Sequence, residues 1–202
     1  MVYKQKPDRK KARLCFLGNT QRPSDYNEIY APVTRLETVR MLCARAAACD
    51  FDVHLCDVQN AFVNSALDRD LYMEAPEGHG KDGMICCLKK ALYGCRQAPR
   101  CWNQHFDKWL RKQGFTASQN DPCLYSRRVG AKAVWVCIWA DDCLIAGDTQ
   151  LCEQCKPRLS KLIYGQPESY LQRVVGMEFK ITRDCQWRST INAAFPVRSS
   201  LL

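Results

Sequence analysis

Asp141 and Asp142 stand side by side in Ile138-Trp139-Ala140-Asp141-Asp142-Cys143-Leu144-Ile145, between two short apolar runs. Two carboxylates fixed next to each other repel. A divalent cation relieves that repulsion, and oxygen-only ligands suit Mg²⁺. Joined by a third carboxylate, such a pair can hold two metals that steady the attacking and leaving oxygens of a phosphoryl transfer. The pair alone also fits a plainer reading, because turns favour Asp for backbone reasons and a solvated hairpin tip would carry it too.

Strands must hold those aspartates. Val134 to Trp139 reads as a buried strand and Cys143 to Ala146 as its return, with both aspartates at the tip of a tight hairpin. A third carboxylate, Asp57, ends the alternating run Asp52-Val53-His54-Leu55-Cys56-Asp57-Val58, which reads as another strand. Before it, Thr34-Arg35-Leu36-Glu37 has the form of a capping box. Leu36, Val39, Cys43 and Ala46 then follow at helical spacing to about Cys49. Further along, Ile85 to Lys89 reads as a short strand. Pro99 suits the first residue of a helix whose stripe is Trp102, Phe106, Trp109 and Leu110 and which ends at Gly114. A helix from about Thr149 to Tyr164 contains Pro157, which should kink or split it. Val174 to Ile181 reads as a strand, and the stretch from Trp187 has no period. Helices and strands are mixed without a βαβ rhythm, which favours an α+β domain with an antiparallel sheet packed on helices.

The 202 residues carry 30 Lys and Arg against 21 Asp and Glu, a formal charge of +9. That balance favours polyanion partners, nucleic acid first, although a merely basic protein would share it. Lys4, Lys6, Arg9, Lys10, Lys11 and Arg13 crowd the start of the chain, where a basic tail would look the same. Lys89, Lys90, Arg96 and Arg100 form a second cluster. The 14 cysteines do not indicate a secreted disulfide scaffold: the first residues are polar and charged rather than a signal peptide, and the chain is large for that class. Cys152-x-x-Cys155 has no second half, which argues against zinc. Cys86, Cys87, Cys95, Cys101 and Cys137 read as small core residues. Reduced thiols fit cytoplasm or nucleus, and no apolar run approaches a membrane span.

Several segments in one order resemble the reverse transcriptase domain of copia-type retrotransposon polyproteins. They are Lys11-Ala12-Arg13-Leu14, Tyr30-Ala31-Pro32-Val33, Leu55 to Phe62, and Leu71-Tyr72-Met73-Glu74-Ala75-Pro76-Glu77-Gly78. Leu88-Lys89-Lys90-Ala91-Leu92-Tyr93-Gly94-Cys95-Arg96-Gln97-Ala98-Pro99-Arg100 is nearly a verbatim signature of that family. Asp121-Pro122-Cys123-Leu124-Tyr125 and Trp139-Ala140-Asp141-Asp142 complete the set. The resemblance covers about residues 1 to 181.

The resemblance implies a right-hand polymerase palm with part of the fingers over residues 1–182, followed by an irregular tail at 183–202. It implies RNA-directed DNA synthesis on an RNA or DNA template with a primer, from deoxynucleoside triphosphates. Asp57 and Asp141 would be the first two metal ligands, with Asp142 beside them, for two Mg²⁺ ions or Mn²⁺ in their place. Phe62 falls where the family places a steric gate against the 2′-hydroxyl, with core packing as the competing reading. Arg13 and Lys11 would hold the incoming triphosphate as charge-assisted donors. Lys11 also fits a solvated face. Tyr93, Gly94 and Gln97 would line the nucleotide and template site, although Gly94 also fits simple turn chemistry.

The departures matter too. Trp139-Ala140 stands where the family has Tyr-Val, and Leu17-Gly18-Asn19-Thr20-Gln21 where it has Lys-Gly-Phe-Thr-Gln. Cys15 and Cys95 replace larger residues. No thumb or RNase H segment is recognised after the palm, so a truncated or decaying copy is expected. An active domain, a non-catalytic nucleic-acid-binding relic and an inert relic all remain open on the sequence.

Overall fold

The structure is a computed structural model that describes residues 2–5, 10–58, 60–76, 78–79, 83–162, 173–174, 177–183 and 189–194. It is mixed α and β, with antiparallel sheets and three α-helices among the described residues. The chain divides into two compact units, Met1–Ala31 with Asn60–Trp109, and Pro32–Gln59 with Leu110–Leu202.

The first unit begins with β1 (Val2–Gln5) and β2 (Lys10–Arg13), an antiparallel pair within the basic stretch that a basic tail would also resemble. After β3 (Asp52–Asp57), which belongs to the other unit, come β4 (Leu71–Glu74) and β5 (Ile85–Leu88), also antiparallel. β5 is the strand expected from Ile85. Helix α2 (Ala98–Lys112) starts one residue before Pro99, which therefore sits in the first turn, where its missing N–H costs nothing. Trp102 and Phe106 are buried and in ring contact at 5.3 Å, and Phe106 lies 6.0 Å from Trp109, as the stripe required. A small core gathers Leu71, Ala91, Cys95 and Ala98, with Phe16, Phe62, Leu67, Leu88 and Leu92 around it.

The second unit is built on a five-stranded antiparallel sheet of order β3-β9-β8-β7-β6. Its other strands are β6 (Thr116–Ala117), β7 (Leu124–Val129), β8 (Lys132–Trp139) and β9 (Asp142–Gly147). Helix α1 (Leu36–Ala48) buries Val39, Leu42, Cys43 and Ala46 against Cys137, Leu144 and Ala146 of the sheet, with Val53, Leu55 and Trp135 at the margin. These sheet residues share one face because side chains alternate with period two. Burial pushes the Cys137 thiol up to about 12 and Cys43 up to about 11, so both stay protonated and act as small apolar fillers. Cys95 and Cys101 are likewise buried and raised by burial, while Cys86 and Cys87 are only half-buried.

Four expectations need correction. The residue before α1 is Arg35 rather than Thr34, and no side chain of the Thr34–Glu37 box caps the helix. Asp121, 3% exposed, does so from afar: it accepts from the Thr34 hydroxyl at 3.0 Å, the Arg35 N–H at 2.9 Å and the Thr38 hydroxyl at 2.6 Å. Helix α3 (Thr149–Leu162) carries Pro157 inside it and is not split. The strand expected over 174–181 is two strands, β10 (Arg173–Val174) and β11 (Met177–Arg183), which are antiparallel to each other. Within the tail expected to be irregular, β12 (Ser189–Ala194) pairs with β11, because Thr190, Ile191 and their neighbours meet a β-forming partner that no local period reveals.

Candidate active site

The carboxylates all belong to the second unit. β3 and β9 run antiparallel with Asp57 directly opposite Asp142, and β8 and β9 place Trp139 directly opposite Asp142 on the other side. Asp57, Asp142 and Trp139 thus form one row across three strands. Partners directly opposite sit about 4.5–5.5 Å apart at Cα. Asp141 is brought to the same end of the sheet by the Val58 N–H, which donates to the Asp141 carbonyl at 2.8 Å. The side chain of Asp57 lies outside the described residues. Among the described residues, no group of three His, Cys, Asp or Glu is set to hold a metal ion.

The hairpin differs in detail from expectation. Its loop is two residues, Ala140 and Asp141, so Asp142 is a ladder residue and not part of the tip. Ala140 has φ of 49°, the left-handed region that two-residue hairpins demand at their first position and that residues with a Cβ resist. Asp141 is half-buried, with one carboxylate oxygen shielded from solvent. One step behind the aspartates, Cys56 lies opposite Cys143. Burial raises the Cys143 thiol well above its ordinary value, so it adds no charge there.

The remaining expected residues belong to the first unit. Residues 15 and 93 form an isolated parallel bridge, and the Phe16 N–H donates to the Tyr93 carbonyl at 2.7 Å. The Tyr93 ring meets the Phe62 ring edge-on at 4.9 Å, and the Arg13 guanidinium lies 4.7 Å from the Tyr93 centroid. The structure therefore brings Arg13, Phe62 and Tyr93 together. Gly94 follows with φ of 94°, and a Cβ there would fall 2.1 Å from the Phe16 carbonyl oxygen. A Cβ on Gly18 would fall 2.0 Å from the Gly94 carbonyl oxygen. Two glycines let these backbones cross.

Gln97 is wholly buried. It accepts from Gln21 Nε2 at 3.0 Å and donates to the Asp25 carbonyl at 3.3 Å, so its amide ties down the 21–25 loop. Arg96 likewise donates from Nε to the Gly18 carbonyl at 2.7 Å. Arg100 pairs with Glu28 at 3.1 Å and Asp68 at 3.9 Å. Two cations of the second cluster are thus engaged within the unit, while Lys89 and Lys90 remain exposed. The Lys11 side chain lies outside the described residues. An open cavity of about 830 Å³ lies between Leu14–Leu17 and Tyr72–Met73, and among the described residues none of the expected site residues lines it. Sequence reasoning missed Asp121 as an organiser of α1, since its partners at the start of that helix stand 83 to 87 positions away.

A family model described as reverse transcriptase (RNA-dependent DNA polymerase) matches residues 1–185. The chain belongs to that family, and its recognised likeness to copia-type retrotransposon domains holds. It is 36% identical over 195 residues, 91% of this chain, to the retrovirus-related Pol polyprotein from transposon TNT 1-94 of Nicotiana tabacum. It is 34% identical over 178 residues, 86% of this chain, to the corresponding polyprotein from transposon RE1 of Arabidopsis thaliana. The match spans 14% and 12% of the lengths of these relatives. No solved structure matches the chain.

Proposed function

We propose that the chain is the palm and part of the fingers of an RNA-directed DNA polymerase, extending a primer on an RNA or DNA template from deoxynucleoside triphosphates. The observation that carries this is the placement of Asp57 opposite Asp142, with Asp141 tied to the same sheet end through Val58. Like charges directly opposite each other destabilise a sheet unless something offsets them. An oxygen-only donor set suits Mg²⁺, so the residues fit the ion that the family implies. Asp57, Asp141 and Asp142 would hold Mg²⁺ or Mn²⁺, which when bound supplies charge neutralisation at the attacking and leaving oxygens.

The other residues bind and orient. Arg13, with Lys11, supplies cationic donors to the triphosphate. Phe62 crowds the sugar at the 2′ position. Tyr93 and Gly94 shape the nucleotide site, and Gln97 supports it from behind by fixing the 21–25 loop. The test is extension of a primed RNA template by the full chain with Mg²⁺ or Mn²⁺, beside Asp141→Asn. Product from the unsubstituted chain and none from the variant, with circular dichroism and template affinity retained, is the expected result. Extension by Asp141→Asn at an undiminished rate would overturn the reading. Trp139, bulky and directly beside Asp142 in the ladder, favours a second reading, a domain that binds template without chemistry. Salt-sensitive template binding with no extension under either metal would select it.

A further inference from the structure

Tyr93 touches both residues to which the polymerase reading gives separate tasks. Its ring takes the Arg13 guanidinium at 4.7 Å and the Phe62 ring edge-on at 4.9 Å. Its own backbone has little freedom. Its carbonyl accepts from the Phe16 N–H at 2.7 Å, the bridge to Cys15 fixes it alongside the strand that carries Arg13, and Gly94 behind it lies too close to Phe16 to yield. Phe62 in turn begins from Asn60, held left-handed at φ 55°, in a 3₁₀ turn of Ala61–Asn64 whose Ser65 N–H and hydroxyl both return to the Phe62 carbonyl. The ring is thus a fixed platform with a cation against it and an aromatic edge beside it. Both contacts depend on the ring and neither on the phenolic hydroxyl.

We propose that Tyr93 is a positioning residue that sets Arg13 and Phe62 against each other, so that triphosphate affinity and discrimination against the 2′-hydroxyl are coupled through one side chain. This rests on the polymerase reading above. A guanidinium held against the ring is pre-aimed, which reduces the rotamer freedom lost when it meets a phosphate. Phe62, wedged against the same ring, cannot swing away from a bulkier sugar. Loss of the ring releases both together.

The experiment is steady-state extension by the full chain on a primed RNA template with dATP and with ATP, for the unsubstituted protein, Tyr93→Leu and Tyr93→Phe. Tyr93→Leu raises the dATP KM by about threefold to tenfold with little change in kcat, and lowers the preference for dATP over ATP by about fivefold. Tyr93→Phe rescues most of both effects. A change in selectivity with KM unmoved, or the reverse, overturns the coupling. A Tyr93→Phe variant as impaired as Tyr93→Leu overturns it too, since the hydroxyl would then meet substrate directly. Should Tyr93→Leu lose its fold, Arg13→Lys and Phe62→Leu are combined instead, and additive effects on KM overturn the proposal. No extension by the unsubstituted chain would instead defeat the polymerase reading. The positioning is then judged by NMR titration with dATP and ATP, where absent binding, or equal binding by Tyr93→Leu, overturns it.

Discussion

The Thr38 hydroxyl donates to the Asp121 carboxylate at 2.6 Å across 83 positions of sequence, and with Thr34 and Arg35 it makes that carboxylate the cap of α1. The other carboxylate oxygen accepts from the Cys123 N–H at 3.0 Å. One buried anion therefore anchors the helix that covers the aspartate-bearing sheet.

Asp121→Asn should lower stability by roughly 2–3 kcal/mol, because an amide NH₂ must face donors on one side or the other. Burial alone would push the Asp121 carboxyl up. The hydrogen bonds from Thr38, the Arg35 and Cys123 N–H groups and Thr34 outweigh it and hold the pKa below the ordinary carboxylate value. Its contribution is thus full above the unfolded pKa of about 3.9 and is lost as pH falls through the lower folded value. Urea melts from pH 7 down to pH 3 should show the wild-type advantage over Asp121→Asn shrinking only at the acid end. A constant gap would refute the assignment.

At the hairpin tip, Ala140→Gly should raise the melting temperature and Ala140→Val should lower it. The left-handed backbone costs a residue with a Cβ roughly 1–2 kcal/mol, and a β-branched side chain more. The family's Val would therefore sit under strain here. Thermal melts of the two variants decide it, and a stabilising Val would mean that the loop relaxes.

Gly94→Ala should cost at least about 2 kcal/mol, since its Cβ would strike the Phe16 carbonyl at a φ that Ala resists. Gly114 also has a positive φ, of 83°, but meets only a flexible Arg127 side chain at 3.7 Å, so Gly114→Ala should cost less. Equal losses in chemical denaturation would show that backbone conformation alone matters.

Binding to a primer–template duplex should weaken with salt, and each phosphate-contacting cation removed should flatten that dependence by about one unit of slope. Arg13→Ala and Lys89→Ala should do so. Arg96→Ala should instead lower stability while leaving the slope unchanged, because its guanidinium holds the Gly18 carbonyl. Fluorescence anisotropy across a salt series separates the two outcomes.

The sequence made the aspartate hairpin, the β3 run, α1 and the aromatic face of α2 legible, because each has a period or a turn signature contained within a few residues. What it concealed depends on distant partners. Thr34 looks like a local cap until Asp121 draws its hydroxyl away, and the Gln97 amide finds its partners Gln21 and Asp25 at 76 and 72 positions' distance. Local pattern alone puts Asp142 at a tip, whereas the register with Asp57 and Trp139 makes it a strand residue. The β1–β2 pair is hidden in a basic stretch whose composition also suits an unstructured tail.

The pairing of Asp57 with Asp142 also constrains how the chain reaches its folded state. β3 leaves the ribosome long before β9, its one neighbour in the five-stranded sheet among the described residues. Until β9 arrives, an apolar strand edge ending in an aspartate waits without its ladder, and closing that long loop carries an entropic cost that local hairpins such as β8–β9 avoid. The hairpin should zip first and β3 dock onto it last, so the carboxylates come together at the end of folding. Pulse-labelling hydrogen exchange should accordingly show protection of β8 and β9 amides ahead of those in β3.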